Sequence, residues 1–319
     1  MRRNDHDVTD RVRTTDLAAV RAAVRALFFG LYEDASARPI ARAFREIDRL
    51  YRGEHPGYCA CDTQYHDLQH VLDVTLAMAR LMDGYERSRV DTAALGPELF
   101  QLGVVAALFH DVGYLRRRAD RRHRYGAEYT LVHVSRGGEF LRRYLARLGL
   151  GRHAAIAAEL LHFTGYERAV ATLRVPDPLL RHVGHMLGTA DIIAQMSDRC
   201  YLEKCRDRLY PEFVLGGVAR RMLPSGRTQI AFRSGEDLVR KTPRFFRGAA
   251  KRLEVELEGA YEYAREHFGG QNLYLDEMQK NVRFASVVAQ ARDGELLRRT
   301  PPDTLEPGVE PYPKELALR

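Results

Sequence analysis

Two histidines stand four residues apart in the segment YHDLQHVLDV, which begins at Tyr65. On a helical wheel His66, His70 and Asp73 share one narrow stripe, while apolar side chains cover most of the remaining circumference. The pattern predicts a helix that is buried nearly all round, in which two imidazoles and a carboxylate need polar or cationic partners. Two histidines alone are weak evidence for a metal, because buried histidines often bond to a backbone carbonyl.

Two later segments carry more polar groups in apolar surroundings. ELFQLGVVAALFHDVGYL places His110 and Asp111 at the end of an apolar helix, where Gly113 permits the backbone to loosen. MLGTADIIAQM places Asp191 among alanines and isoleucines, which predicts a buried carboxylate. With His70, these residues supply two imidazole nitrogens and two carboxylates, a set suited to a divalent ion such as Zn, Mn, Mg or Fe(II).

The order of these segments resembles a known family. YHDLQHVLDV, LFHDVGY and TADIIAQM follow one another as in the HD-domain metal-dependent phosphohydrolase superfamily, over roughly residues 60 to 215. Within that superfamily, the first segment looks like the YHNxxHxxDV signature of the cyclic-nucleotide phosphodiesterases. Asp67 stands where that signature usually has Asn.

The resemblance implies roles for individual residues. It implies that His66 is the general acid and that Asp111 bridges to a second ion, so we expect two divalent metal ions, of Mn, Mg, Fe or Zn. The implied metal ligands are His70, His110, Asp111 and Asp191. His66 has an alternative as a hydrogen-bonded histidine beside the ligands, and Asp73 is expected to support a ligand and not to be one.

Five more polar side chains are candidates for supporting the ions or contacting the substrate. They are His123, Glu128, His162, Lys204 and Arg206. Lys241 is a further cation that could reach a phosphate. Each has a structural alternative, as part of a solvated charge run, a core histidine or a surface cation. We expect the remaining histidines of the helical segments to be structural: His133, His153, His182 and His185.

Composition limits the classes of protein and partner. The 319 residues carry a net charge of +7, mostly from arginine, which is compatible with a small phosphorylated substrate. The most specific form of this expectation is a nucleotide. No aromatic-interleaved basic platform supports nucleic-acid binding. No apolar run reaches the roughly 18 to 20 residues that span a membrane, so we expect a cytoplasmic protein with no membrane partner. A homo-oligomer is compatible with the sequence.

Apolar periodicity predicts an all-α fold, a multi-helix HD-domain bundle with additional C-terminal helices. Helices are expected near 17–32, 39–51, 66–84, 97–110, 126–148, 153–163, 178–197, 199–220, 235–267 and 274–297. The predicted domains are a flexible N-terminus (1–14), the HD-type domain (15–221), a C-terminal helical extension that could wall the pocket (222–298) and a proline-rich disordered tail (299–319).

The expected function is metal-dependent hydrolysis of a phosphoester by a metal-activated water, with His66 as general acid and a nucleotide phosphodiester as the substrate. Two alternatives stay open. The HD scaffold also hosts di-iron oxygenases, for which His123 and His162 could supply extra ligands. A non-catalytic HD module that senses a ligand is the other alternative.

Overall fold

A computed structural model describes residues 2–222, 225–291, 296–313 and 316. The last residues of the predicted helix 274–297 and of the predicted tail fall partly outside these ranges. The described α-helices are α1 (Leu17–Leu31), α2 (Arg38–Tyr51), α3 (Leu68–Ser88), α4 (Gly96–Phe109), α5 (His133–Tyr144), α6 (Ala154–Leu161), α7 (Pro178–Ser197), α8 (Tyr201–Lys204), α9 (Tyr210–Leu215), α10 (Gly235–Lys251), α11 (Tyr263–His267) and α12 (Leu273–Gln290). Within the described ranges, β-structure amounts to the antiparallel pair β1 (Arg220–Met222) and β2 (Thr228–Ile230) and two isolated bridges. The all-α prediction is confirmed.

Helix α3 lies at the centre of the bundle and packs against α1, α4, α7 and α11. Val71, Leu72 and Val74 are completely buried, as the sequence pattern predicted. The helix begins at Leu68 and not near residue 66, because Asp67 is its extended N-cap and accepts a hydrogen bond from the His70 amide. His66 therefore precedes α3 and does not share a helical stripe with His70.

Helix α4 is buried along most of its length and delivers His110 at its C-terminal end. The chain then tightens into a 3-10 turn, Val112–Tyr114. Gly113 is needed there because a Cβ atom would lie 1.8 Å from the carbonyl oxygen of His133, at the start of α5. The glycine thus permits close backbone packing between the turn and α5, which sets the distance between the two segments.

Helix α7 carries Asp191 in its C-terminal half. Asp177 caps the helix by accepting hydrogen bonds from two backbone amides of the first turn, and Pro178 occupies the first helical position. Gly184 and Gly188 allow Phe163 to pack directly on the helix, since a Cβ atom at either position would lie within 2.6 Å of it.

Three long predicted helices are broken into shorter ones. The predicted helix 126–148 consists of a 3-10 turn, α5 and a second 3-10 turn, and 199–220 contains a π-helical turn between α8 and α9. The predicted helix 235–267 ends because Glu258 and Gly259 adopt positive φ angles of 53° and 67°. Such left-handed residues stop an α-helix and redirect the chain.

Described residues near both chain ends contact the bundle. Asp7 forms a buried ion pair with Arg80 of α3. Near the other end, Thr304 bonds to Asp67, and Tyr312 packs edge-on against Tyr125 with 5.3 Å between ring centroids. These contacts belong to segments that the sequence predicted to be flexible or disordered. The predicted division of the chain into domains stays a prediction. No described helix combines the length and apolar character needed to cross a membrane.

Candidate metal centre

Three helices bring four predicted ligand side chains into one cluster. His70 Nε2 lies 3.3 Å from Asp111 Oδ2, 3.4 Å from Asp191 Oδ1 and 3.3 Å from His110 Nε2. His110 Nε2 lies 3.2 Å from Asp111 Oδ2 and 3.9 Å from Asp191 Oδ1. Donor atoms of His70, His110 and Asp191 all lie within 4.8 Å of one another, which is compatible with a shared ion.

The backbone orients the imidazole of His110. Its Nδ1 lies 2.7 Å from the carbonyl oxygen of Ala107, an acceptor that requires a proton on Nδ1 in the neutral ring. The lone pair of the neutral ring is then on Nε2, the atom that faces the carboxylates. A backbone carbonyl behind a histidine in this way is a common support for a metal ligand.

Asp111 provides a test of whether these residues fit a cation. Its Oδ2 is buried and has no hydrogen-bond donor, although two imidazole nitrogens lie near it. Burial opposes the charging of His70, but Asp111 and Asp191 outweigh it and raise the pKa of that imidazole to about 10. Burial likewise raises the pKa of Asp111, but His110, followed by His70, outweighs it and holds that pKa well below its usual value. The buried, unpartnered carboxylate oxygen and the set of two imidazoles and two carboxylates fit a divalent cation.

His66 lies beside this cluster and is held by a glutamate. Its Nδ1 is 2.5 Å from Oε2 of Glu212, a completely buried side chain on α9. The other carboxylate oxygen of Glu212 accepts a hydrogen bond from the Tyr65 amide at 2.7 Å. Tyr114 stacks on the imidazole with 4.5 Å between ring centroids. These contacts fix the position of the ring and engage its Nδ1, not its Nε2.

His133 also faces the cluster, although the sequence predicted a structural role. Its Nε2 lies 3.5 Å from Oδ1 of Asp111, and its Nδ1 lies 2.7 Å from the Thr130 carbonyl oxygen. The ring stacks on Tyr114 with 4.2 Å between ring centroids. Burial lowers the pKa of His133, which favours the neutral form that a metal ligand needs.

Two of the further candidates lie outside the cavity that contains the cluster. His123 pairs through Nδ1 with Asp120 Oδ2 at 2.9 Å and is partly exposed. Glu128 accepts hydrogen bonds from the amides of Arg124 and Tyr125, which caps the 3-10 turn at Gly126–Tyr129. Both side chains thus have local structural partners, and their predicted support of the ions stays a prediction.

The other three candidates also have partners of their own. His162 is buried and pairs with Glu167, 2.5 Å from Nδ1 to Oε1. Lys204 is buried and bonds to Asp198 at 2.5 Å, and Arg206 pairs with its neighbour Asp207. None of the three belongs to the described lining of the main cavity.

The cluster opens into a cavity of about 440 Å³. His66, His70, Asp111, His133 and Asp191 line its floor. Aromatic rings and residues of α10, from the predicted C-terminal extension, form much of the rest of the wall: Tyr166, Phe213, Phe232, Leu238, Lys241, Thr242 and Phe245. The wall is largely apolar, with a carboxylate and imidazole floor at one end.

Comparison with known proteins identifies a shared fold. No protein-family model matches the chain, and no curated protein matches its sequence. The structure is similar to the phosphodiesterase domain of Salpingoeca rosetta rhodopsin phosphodiesterase, with a TM-score of 0.52 and 13% identity over 90% of this chain and 92% of that one. A second structure, of the phosphodiesterase domain of the RhoPDE fusion protein from the same choanoflagellate, gives a TM-score of 0.50 and 14% identity over 90% and 95% of the two chains. The chain therefore shares the helical fold of phosphodiesterase domains.

Proposed function

We propose that the protein is a metal-dependent phosphohydrolase that cleaves a phosphoester, with a nucleotide phosphodiester as the preferred substrate class. The observation that carries the proposal is the position of the His66–Glu212 pair beside the cluster of His70, His110, Asp111 and Asp191, in one cavity. The fold shared with phosphodiesterase domains supports the reaction class.

His70, His110, Asp111 and Asp191 would hold the first ion. Asp111 would also help to hold a second ion, together with the imidazole of His133, whose Nε2 lies 3.5 Å from Oδ1 of Asp111. Bound ions of the class Mn, Mg, Fe or Zn would stabilise charge on the phosphoryl oxygens and lower the pKa of water.

His66 would protonate the leaving oxygen of the ester. Glu212 accepts a hydrogen bond from Nδ1–H of His66, so the protonated imidazole can carry its transferable proton on Nε2. Stacking on Tyr114 restricts the orientation of the ring. Glu212 and Tyr114 are thus positioning residues, and His66 is the group that contacts the substrate.

The cavity wall favours a substrate with an aromatic part. Phe213, Phe232 and Phe245 line the cavity, and a nucleobase could pack against aromatic rings of this kind. Lys241 adds a positive charge to the same wall, although its Nζ also bonds to Asp237 at 2.8 Å. A phosphodiester with a base at one end matches this division between an apolar wall and a polar floor.

The proposal is tested with purified protein and Mn²⁺, Mg²⁺, Fe²⁺ or Zn²⁺ against nucleotide mono- and diesters. We expect metal-dependent turnover that Asp111→Asn abolishes and that the surface control Asp48→Asn leaves unchanged. Equal turnover by wild type and Asp111→Asn would reject the site.

The same samples test the alternatives. For the oxygenase alternative, His123 and His162 could supply the extra ligands, and neither is among the described residues that line the cavity. Bound iron with oxygen consumption and no ester hydrolysis would nevertheless favour it. The absence of both activities would favour a ligand-sensing module.

A further inference from the structure

A second cluster of potential ligands lies outside the main cavity. His182 and His185 are one turn apart on α7, and Glu258 comes from the turn that follows α10. Each offers a donor atom, and these atoms lie within 4.8 Å of one another. His185 precedes Asp191 by six residues, which corresponds to about 9 Å along the helix and about 240° around it. The two clusters are therefore on different faces of α7.

The ring of His185 needs a partner that the described residues do not supply. The side chain is only 2% exposed, and neither ring nitrogen has a hydrogen-bond partner. A buried histidine with both nitrogens unpaired is rare, because each unpaired group costs free energy. A carboxylate oxygen, Oε2 of Glu258, lies 3.4 Å from its Nδ1. The two unpaired nitrogens of this buried ring indicate a missing ligand.

The backbone holds Glu258 in an unusual conformation beside these histidines. Its φ angle of 53° lies in the left-handed region, which is unfavourable for a residue with a side chain. The next residue, Gly259, donates a backbone hydrogen bond to Leu253 at 3.0 Å, which closes the turn. The side chain of Glu258 is 64% exposed, so an ion has access from solvent.

His182 is oriented by a tyrosine. Its Nε2 lies 2.9 Å from the hydroxyl group of Tyr263. Burial lowers the pKa of both His182 and His185, which keeps the rings neutral and their lone pairs available near neutral pH. The guanidinium of neighbouring Arg181 bonds to the carbonyl oxygens of Val170 and Leu173.

We propose that His182, His185 and Glu258 form a binding site for a divalent cation of the zinc class. Two imidazole nitrogens and one carboxylate oxygen are a ligand set that Zn²⁺ accepts, with water in the fourth position. Mg²⁺ and Ca²⁺ prefer sites made entirely of oxygen ligands. The ion ties α7 to the turn after α10, the helix that walls the main cavity, and it stabilises that connection independently of the proposed hydrolysis.

The test counts Zn²⁺ bound to the full chain after removal of metals with a chelator. A competing chromophoric chelator reports the number of ions held by wild type, Glu258→Gln, His182→Gln and the control His153→Gln. We expect Glu258→Gln and His182→Gln each to lose about one Zn²⁺ per chain, and the control to lose none. Zn²⁺ should also raise the melting temperature of wild type more than that of Glu258→Gln.

Glu258 is exposed, so its variant tests the site without disturbing the core, whereas His185 is too buried for that purpose. Asp111→Asn separates this site from the main cluster, because it should keep the Zn²⁺ that Glu258→Gln loses. Equal Zn²⁺ counts and equal thermal shifts in wild type, Glu258→Gln and His182→Gln would overturn the inference, whatever the outcome for phosphoester hydrolysis.

Discussion

The pair formed by His66 and Glu212 allows the most specific prediction about catalysis. Glu212→Gln keeps the size of the side chain but removes the negative charge that faces Nδ1 at 2.5 Å. The amide can still accept a hydrogen bond from Nδ1, but it no longer stabilises a protonated imidazole. We therefore expect slower turnover with no change in the metal ligands.

The size of the effect follows from the type of hydrogen bond. A hydrogen bond to a charged group contributes about 1.5–3 kcal/mol, and Glu212 is completely buried, so solvent does not screen it. Since each 1.36 kcal/mol changes a rate about tenfold, kcat should fall by roughly 10- to 150-fold if this stabilisation is lost in the transition state. The bound metal content should stay at the wild-type value.

The assay compares two phosphodiesters with different leaving groups. A nucleoside leaving group needs a proton as the bond breaks, whereas a p-nitrophenolate leaves without one. Glu212→Gln and His66→Gln should therefore slow hydrolysis of the nucleoside ester much more than that of the p-nitrophenyl ester. Glu203→Gln is the matched control, because Glu203 is also completely buried but does not line the cavity.

Two results would refute this reasoning. Equal losses on both esters would show that Glu212 does not act through proton transfer by His66. A loss of bound metal in Glu212→Gln, measured on the same samples, would show that the glutamate supports the ligands instead.

Two further predictions concern stability. Asp7→Asn breaks the buried pair with Arg80 and should cost about 3–5 kcal/mol of unfolding free energy by urea titration, while Asp48→Asn, at a partly exposed ion pair, should cost less than about 1 kcal/mol. Burial raises the pKa of Asp7, but Arg80 outweighs it, so the folded pKa lies below 3.8. The stabilisation is therefore present above pH 3.8 and is lost as the pH falls through the lower folded value. If Asp7→Asn lost stability with falling pH to the same extent as wild type, this prediction would be contradicted. Gly113→Ala should lower the melting temperature and the metal content, because its Cβ would lie 1.8 Å from a carbonyl oxygen of α5, whereas Gly30→Ala, with open space around the new Cβ, should be neutral or stabilising.

The local sequence was sufficient to predict the helices that carry the main cluster. Apolar periodicity and caps are properties of neighbouring residues, so α4 and α7 were predicted to within a residue of their observed bounds. His70, His110 and Asp191 could be selected because a polar group in an apolar helix needs a partner. The start of α3 was placed too early, although Asp67 before an apolar run was an available N-cap signal.

Contacts between distant segments decided the rest. Glu212 lies 146 positions from His66, and nothing in YPEFVL distinguishes its glutamate from one on a helix surface. Likewise, Glu258 approaches His185 only because the chain turns through positive φ angles after α10. The sequence by itself determined which side chains would be buried and in need of partners, since burial follows from local pattern. Only the tertiary structure decided which partners they have, because those partners are set by the packing of helices far apart in the chain.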